Sequence, residues 1–329
     1  MTTRRQLMQG AALLGAAALI GRPAFAAGTG QIFVSTEKGN EIVVLDPGFT
    51  IIKRIPTSKR PRDMHFNADR TQLYVACGDD DAIDVIDLAK LEVVDTIPTG
   101  PSPEVFAFSP DFKLMYVSDE EYSQLEAIDI ETRVSVMQVA TGAEPEGVIV
   151  SEDGKTVYVT SEVADMVHVV DVASAAVVKN IVVGTRPRRF IFTPDGKELW
   201  VSCELSSEIY IIDRASNEIV GDPMVFVPPG FKPEDVTPVG MAITKDGSKI
   251  LLSLGRANHV AIIDAKSHQV LQYVLVGKRA WSVDLSSDDK IAIVANGLSD
   301  DITVIDMGSM QATKTIPIGR VPHSVLIDD

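Results

Sequence analysis

Apolar and polar positions along the chain fall into short β-rich runs, each closed by an aspartate, and the run recurs seven times. The copies are Val44-Leu45-Asp46, Val85-Ile86-Asp87, Ala127-Ile128-Asp129, Val169-Val170-Asp171, Ile211-Ile212-Asp213, Ile262-Ile263-Asp264 and Val304-Ile305-Asp306. Successive aspartates lie 41, 42, 42, 42, 51 and 42 residues apart. Each repeat reads as four strands. In the fourth copy they are Glu146 to Val150, Val157 to Thr160, Val167 to Asp171 and Val177 to Val183. Ser151-Glu152-Asp153-Gly154 makes the first turn, and Asp-Gly recurs at Asp195-Gly196 and Asp246-Gly247. Glycine there takes the left-handed conformation that a short hairpin needs. Arg70, Phe112 and Asp289 hold that place in copies two, three and seven, which predicts strained or differently built hairpins. The aspartate after each third strand is expected to cap its own turn.

Four strands every 42 residues or so is the period of a propeller blade. The predicted fold is therefore all-β, a seven-bladed β-propeller of four-stranded antiparallel blades. One blade cannot bury both faces of its sheet, so the ring must close. The first copy begins at Gln31-Ile32-Phe33-Val34-Ser35, which matches second strands such as Leu73-Tyr74-Val75-Ala76. Its missing first strand stands at the other end, Pro322-His323-Ser324-Val325-Leu326-Ile327, and is expected to complete that blade.

Composition narrows the partners. The 329 residues are 45% hydrophobic, enough for a sizeable core, and carry a formal net charge of −16. Such a surface repels phosphate, which excludes nucleic acid and anionic lipid and leaves cationic partners or a metal ion open. Residues 1–26 hold Arg4, Arg5 and Arg22 and no acid, so the remainder carries −19. Thr3-Arg4-Arg5-Gln6-Leu7-Met8, the apolar stretch to Ile20 and Ala24-Phe25-Ala26 resemble a twin-arginine export signal with its cleavage site. Two segments are expected: a signal peptide at 1–26 and a propeller at 27–329, soluble in a bacterial periplasm. The apolar run is too short for a membrane span.

Cys77 and Cys203 are the only cysteines and form no C-x-x-C. They hold one position in blades two and five, far apart across the ring. Two free structural thiols are the expectation, since a disulfide needs Cα atoms within about 7 Å.

Loops entering first strands and loops leaving second strands share one face of a propeller, around the mouth of its channel. Six first strands follow a proline, which fixes chain direction and needs no ladder partner there. The next residue around the ring is Arg62, Glu104, Glu146, Arg188, Val239, Trp281 and His323. Two residues beyond the second strands stand Glu37, Gly78, Glu120, Glu162, Glu204, Gly255 and Gly297. The charged and aromatic members form either a solvated rim of ion pairs or a site for a ligand or partner. An oxygen-rich calcium-type site needs a ligand spacing that is missing here. The 51-residue spacing hides an insertion, roughly Gly221 to Val236, which reads as a lid or partner loop or as a passive elaboration. His65 and Asp284 interrupt apolar first-strand positions and are expected to be hydrogen-bonded core groups.

The strand motifs Leu73-Tyr74-Val75-Ala76 and Val157-Tyr158-Val159-Thr160 resemble the YVTN family of β-propeller repeat proteins. Arg60-Pro61-Arg62, Glu144-Pro145-Glu146-Gly147, Arg186-Pro187-Arg188, Lys197-Glu198-Leu199-Trp200-Val201-Ser202 and Thr237-Pro238-Val239-Gly240 resemble the subgroup associated with PQQ-dependent catabolism. That resemblance spans essentially all of 27–329. It implies a periplasmic propeller accompanying a quinoprotein alcohol dehydrogenase or its cytochrome, and it brings no catalytic residues. The chain lacks the adjacent cysteines and repeated tryptophan motif of the dehydrogenases themselves, so no motif supports PQQ, or a divalent cation, as its own cofactor. The function expected is ligand or partner binding at the mouth, without catalysis. The competing expectation is a lactonase-like hydrolase, in which Glu104 or Glu146 acts as base, His323 as its acid–base partner, and Arg62 or Arg188 stabilises the oxyanion.

Overall fold

A computed structural model describes residues 28–329. The expected signal segment lies outside the described residues. Seven antiparallel sheets follow one another around a ring, and in six of them the strand order runs with the chain from the axis outward. The predicted closure is present. Pro322–Asp328 pairs with Gln31–Thr36, setting Val34 opposite Val325 and Ile32 opposite Ile327. Around this joint Asp328 accepts hydrogen bonds from the Thr29 backbone (3.0 Å) and hydroxyl (2.7 Å), and from Arg70 (3.1 Å). No helix among the described residues is long and apolar enough to cross a membrane.

The second and third strands of every blade are almost wholly buried, because each sheet packs a neighbour on both faces. Residues of adjacent blades interleave into seven apolar clusters, such as Tyr158, Val167 and Val169 of blade four against Leu199, Val201 and Ile212 of blade five. Outer strands alternate between exposed and half-buried positions. Cys77 and Cys203 are free and buried, as expected.

Arg70, Phe112 and Asp289 take φ of 54°, 55° and 55°, against 68° to 70° at Gly154, Gly196 and Gly247. The three hairpins without glycine therefore use the same turn and carry the left-handed strain. Third-strand aspartates cap their turns as predicted: Asp171 accepts from the Ser174 backbone at 2.8 Å, and Asp306 accepts from Ser309 at 2.8 Å.

The insertion is anchored rather than free. Phe226 and Val236 are buried in the cluster between blades five and six. Ser207 donates to the Val236 carbonyl at 2.7 Å, and Val227 N–H donates to the Tyr273 hydroxyl at 3.3 Å. It splits the outer strand of blade five into Glu218–Ile219 and Met224–Val225.

Candidate functional site at the channel mouth

Three backbone devices, repeated from blade to blade, gather the mouth residues. In six blades the pairing of the first strand carries a register shift near the mouth, for example between Pro187 and Phe190. At that irregularity, a second-strand hydroxyl donates to the carbonyl of the mouth residue in the next blade. Ser35 reaches Arg62 (2.8 Å), Ser118 reaches Glu146 (2.8 Å), Thr160 reaches Arg188 (3.2 Å), Ser202 reaches Val239 (2.7 Å) and Ser253 reaches Trp281 (3.0 Å). Blades two and seven have Ala76 and Ala295 there instead. In those two blades a first-strand carboxylate makes the stitch: Asp63 accepts from Phe106 N–H at 3.2 Å, and Asp284 from Ile327 N–H at 2.9 Å.

The second device is a clamp. Residues just before the first strand adopt φ of 53° to 61° at Arg60, Ser102, Glu144, Arg186, Arg279 and Val321. An Asn or Asp before the third strand of the preceding blade accepts the backbone N–H in five of these cases. The partners are Asn40–Arg60, Asp81–Ser102, Asp165–Arg186, Asn258–Arg279 and Asp300–Val321, at 2.8 to 3.1 Å. Asp81, Asp165 and Asp300 are thus engaged in holding loops. The third device braces the incoming loop to its own blade. Asp84, Glu126, His168 and Thr303 on third strands accept from Ser58, Gly100, Gly142 and Gly277 N–H. These braces were not read from the sequence, although a polar residue inside an apolar strand was their signal.

All ten predicted residues reach the same end of the channel. Arg62 contacts Glu37 at 3.4 Å and pairs with Glu104, which also receives Arg60 at 2.6 Å. Glu120 accepts from Ser102 at 3.2 Å. Arg188 meets Glu146 at 3.1 Å, pairs with Glu162 and approaches Glu204 at 3.8 Å. Arg186 contacts Glu162 at 2.8 Å, Arg189 contacts Glu146 at 3.1 Å, and Arg279 contacts Glu204 at 2.8 Å. Arg279 stands 4.3 Å over the Trp281 ring, which stacks on His323 at 5.5 Å.

The outcome is a stopper more than an open basin. Glu104, Glu146, Glu162, Glu204, Arg188 and His323 are buried. Burial opposes the charge on Glu146, but Arg188, Arg189, Arg62 and Arg60 outweigh it and hold the carboxyl at about 2. Burial and the charge of Glu146 push Glu104 upward, against Arg62 and Arg60. Burial likewise pushes Glu162 upward, against Arg188 and with help from Glu146. Burial and the surrounding guanidiniums of Arg62, Arg189, Arg188 and Arg60 push His323 well below the usual histidine range. Its Nδ1 lies 3.2 Å from the Ser324 hydroxyl, and its Nε2 has no hydrogen-bond partner. Among the described residues, no three His, Cys, Asp or Glu side chains converge to hold a metal ion.

His65 corrects an expectation. It is hydrogen-bonded, with Nε2 3.0 Å from Asp63, but it lines the channel instead of the core, with 42% of its side chain accessible. Below the stopper the first strands of all seven blades enclose a cavity of about 260 Å³.

Solved structures with this architecture include the periplasmic gluconolactonase PpgL of Pseudomonas aeruginosa, at 17% identity and a TM-score of 0.77, covering 91% of this chain and 99% of that one. Hydrazine synthase of Kuenenia stuttgartiensis is similar at 22% identity and a TM-score of 0.75, with 88% and 98% covered. A protein of unknown function from Desulfotomaculum acetoxidans is similar at 14% identity and a TM-score of 0.76, with 90% and 98% covered. At such identities the likeness is one of fold. No curated protein sequence matches the chain. A family model does: residues 29–197 match the YNCE-like beta-propeller. With seven closed blades around a common axis, the chain belongs to the YNCE-like beta-propeller family.

Proposed function

We propose that the chain is a periplasmic accessory propeller that docks a partner protein over the channel mouth, in the setting of PQQ-dependent alcohol oxidation. One observation carries the reading. In blades four, five and seven the residue just beyond Glu162, Glu204 and Gly297 is an exposed Val163 (62%), Leu205 (48%) or Leu298 (71%), and blade three adds Tyr122 (67%) nearby. Around them the mouth charges already have partners. An apolar rim over a pre-paired polar centre is the anatomy of a protein contact, in which large side chains bury and satisfied polar groups align. The net charge of −16 favours a cationic partner face and fast encounter. The leader-like N-terminus and the mouth motifs support the compartment and the quinoprotein setting. The test is calorimetric titration with the host's quinoprotein dehydrogenase and with its cytochrome. The expected result is that one of them binds the wild type and not a folded Val163→Asp/Leu205→Asp/Leu298→Asp variant. Equal binding by that variant, or no binding of either protein to the wild type, rejects the proposal.

The lactonase-like reading keeps one observation of its own, the buried and unpartnered Nε2 of His323 beside several arginines. Glu146, bound by Arg188 and Arg189, is a weak base in that scheme. Lactone hydrolysis lost in both Glu146→Gln and His323→Ala would decide for it.

A further inference from the structure

The cavity beneath the stopper is separate from the docking rim, and its chemistry is one-sided. Its walls are mainly apolar, with Val105, Val148 and Val283 among them. Arg189 enters at the stopper end, where its guanidinium shares the Glu146 carboxylate with Arg188. Arg188 also has Glu162 and Glu204. Arg189 is the one guanidinium among the residues that line the cavity. The stopper end of the cavity therefore presents the Arg189 cation to its apolar interior. The Asp63 carboxylate, in the same lining, is already engaged by His65 at 3.0 Å and by Phe106 N–H at 3.2 Å.

Two polar atoms there lack proper partners. Ser282 Oγ is shut off from bulk solvent and makes no hydrogen bond, and the buried Arg189 terminal nitrogen lies 3.1 Å from Glu146 Oε1 but makes no well-directed hydrogen bond to it. A buried donor left without a hydrogen bond is costly, so Ser282 and Arg189, both lining this cavity, are suited to receive an acceptor. A carboxylate meets both, one oxygen for the guanidinium and one for the hydroxyl. A dry apolar cavity of about 150 Å³ takes a benzene-sized molecule, so 260 Å³ suits an organic body only modestly larger.

We infer that the central channel binds a small organic monocarboxylate, its carboxylate on Arg189 and Ser282 and its hydrocarbon among the first-strand valines. Entry is from the hairpin face, since the mouth is stoppered. The probes are benzoate and hexanoate, with benzyl alcohol as the uncharged control, titrated into the folded protein by calorimetry and melting shift. At least one carboxylate should bind saturably, and benzyl alcohol at least tenfold more weakly. Arg189→Met should weaken the carboxylate at least tenfold. Because Arg189→Met also frees Glu146, Ala107→Phe, which fills the cavity and leaves the ion pairs alone, serves as the second variant and should abolish binding. The triple rim variant should bind normally, which separates this site from the docking face. Binding undiminished in Ala107→Phe, no preference for carboxylate over alcohol, or no binding of either carboxylate to the wild type overturns the inference.

Discussion

The hydroxyl of Thr160 accepts a hydrogen bond from Gly147 N–H at 2.7 Å and donates to the carbonyl of Arg188 at 3.2 Å, so one side chain joins the first strands of neighbouring blades. Both contacts are buried, and a Val of the same shape removes them while leaving the backbone groups unpaired. Thr160→Val should cost about 1–3 kcal/mol in urea unfolding. A change below a few tenths of a kcal/mol would mean that the stitch is incidental.

Arg188 contacts three buried glutamates at once. Removing one member of a buried ion cluster strands the remaining charges, at about 3–5 kcal/mol. Arg188→Met should destabilise by that amount, and Arg188→Met/Glu146→Gln should recover part of it. Denaturant midpoints with an unchanged slope check the prediction. The double variant being worse than the single one would contradict it.

Asp284 gives a pH signature. Burial pushes its carboxyl up to about 6, against the N–H groups of Ile327 and Leu285 that bond it. A folded-state value above the unfolded one favours folding at low pH, and that contribution is lost as pH rises through about 6. Asp284→Asn carries no such loss. Its melting temperature relative to wild type should therefore rise between pH 4.5 and pH 7. A constant difference across that range would show that Asp284 titrates normally.

The thiols of Cys77 and Cys203 are buried, and burial pushes both far above the usual range. A thiol reagent at pH 8 should label neither in the native protein and both in denaturant. Rapid native labelling of Cys77 would place it at a reachable surface.

The architecture was legible because each blade repeats one strand pattern and the first repeat visibly lacked a strand. The convergence of Arg62, Glu146, Arg188 and His323 followed from that topology, since equivalent positions in a ring must face the same axis. Other features were not legible. Pairing distances decide whether converging charges make an open pocket or a stopper, and a residue list contains no distances. His65 was read as a core group because it interrupts an apolar strand, yet first strands have an inner side facing the channel, where a polar residue meets water. The hydroxyl stitches escaped notice because Ser and Thr are ordinary strand residues. Their role appears only when Ser118, Thr160, Ser202 and Ser253 are seen to act on the next blade.

The pairing of Pro322–Asp328 with Gln31–Thr36 has a consequence for biogenesis. A ribosome delivers Gln31–Thr36 roughly three hundred residues before Pro322–Asp328. Throughout translation the N-terminal blade keeps an unzipped flank, ready to recruit any stray extended peptide. Productive maturation thus waits on the final stretch of chain, and a chaperone that shields Gln31–Thr36 meanwhile would guard against misassembly.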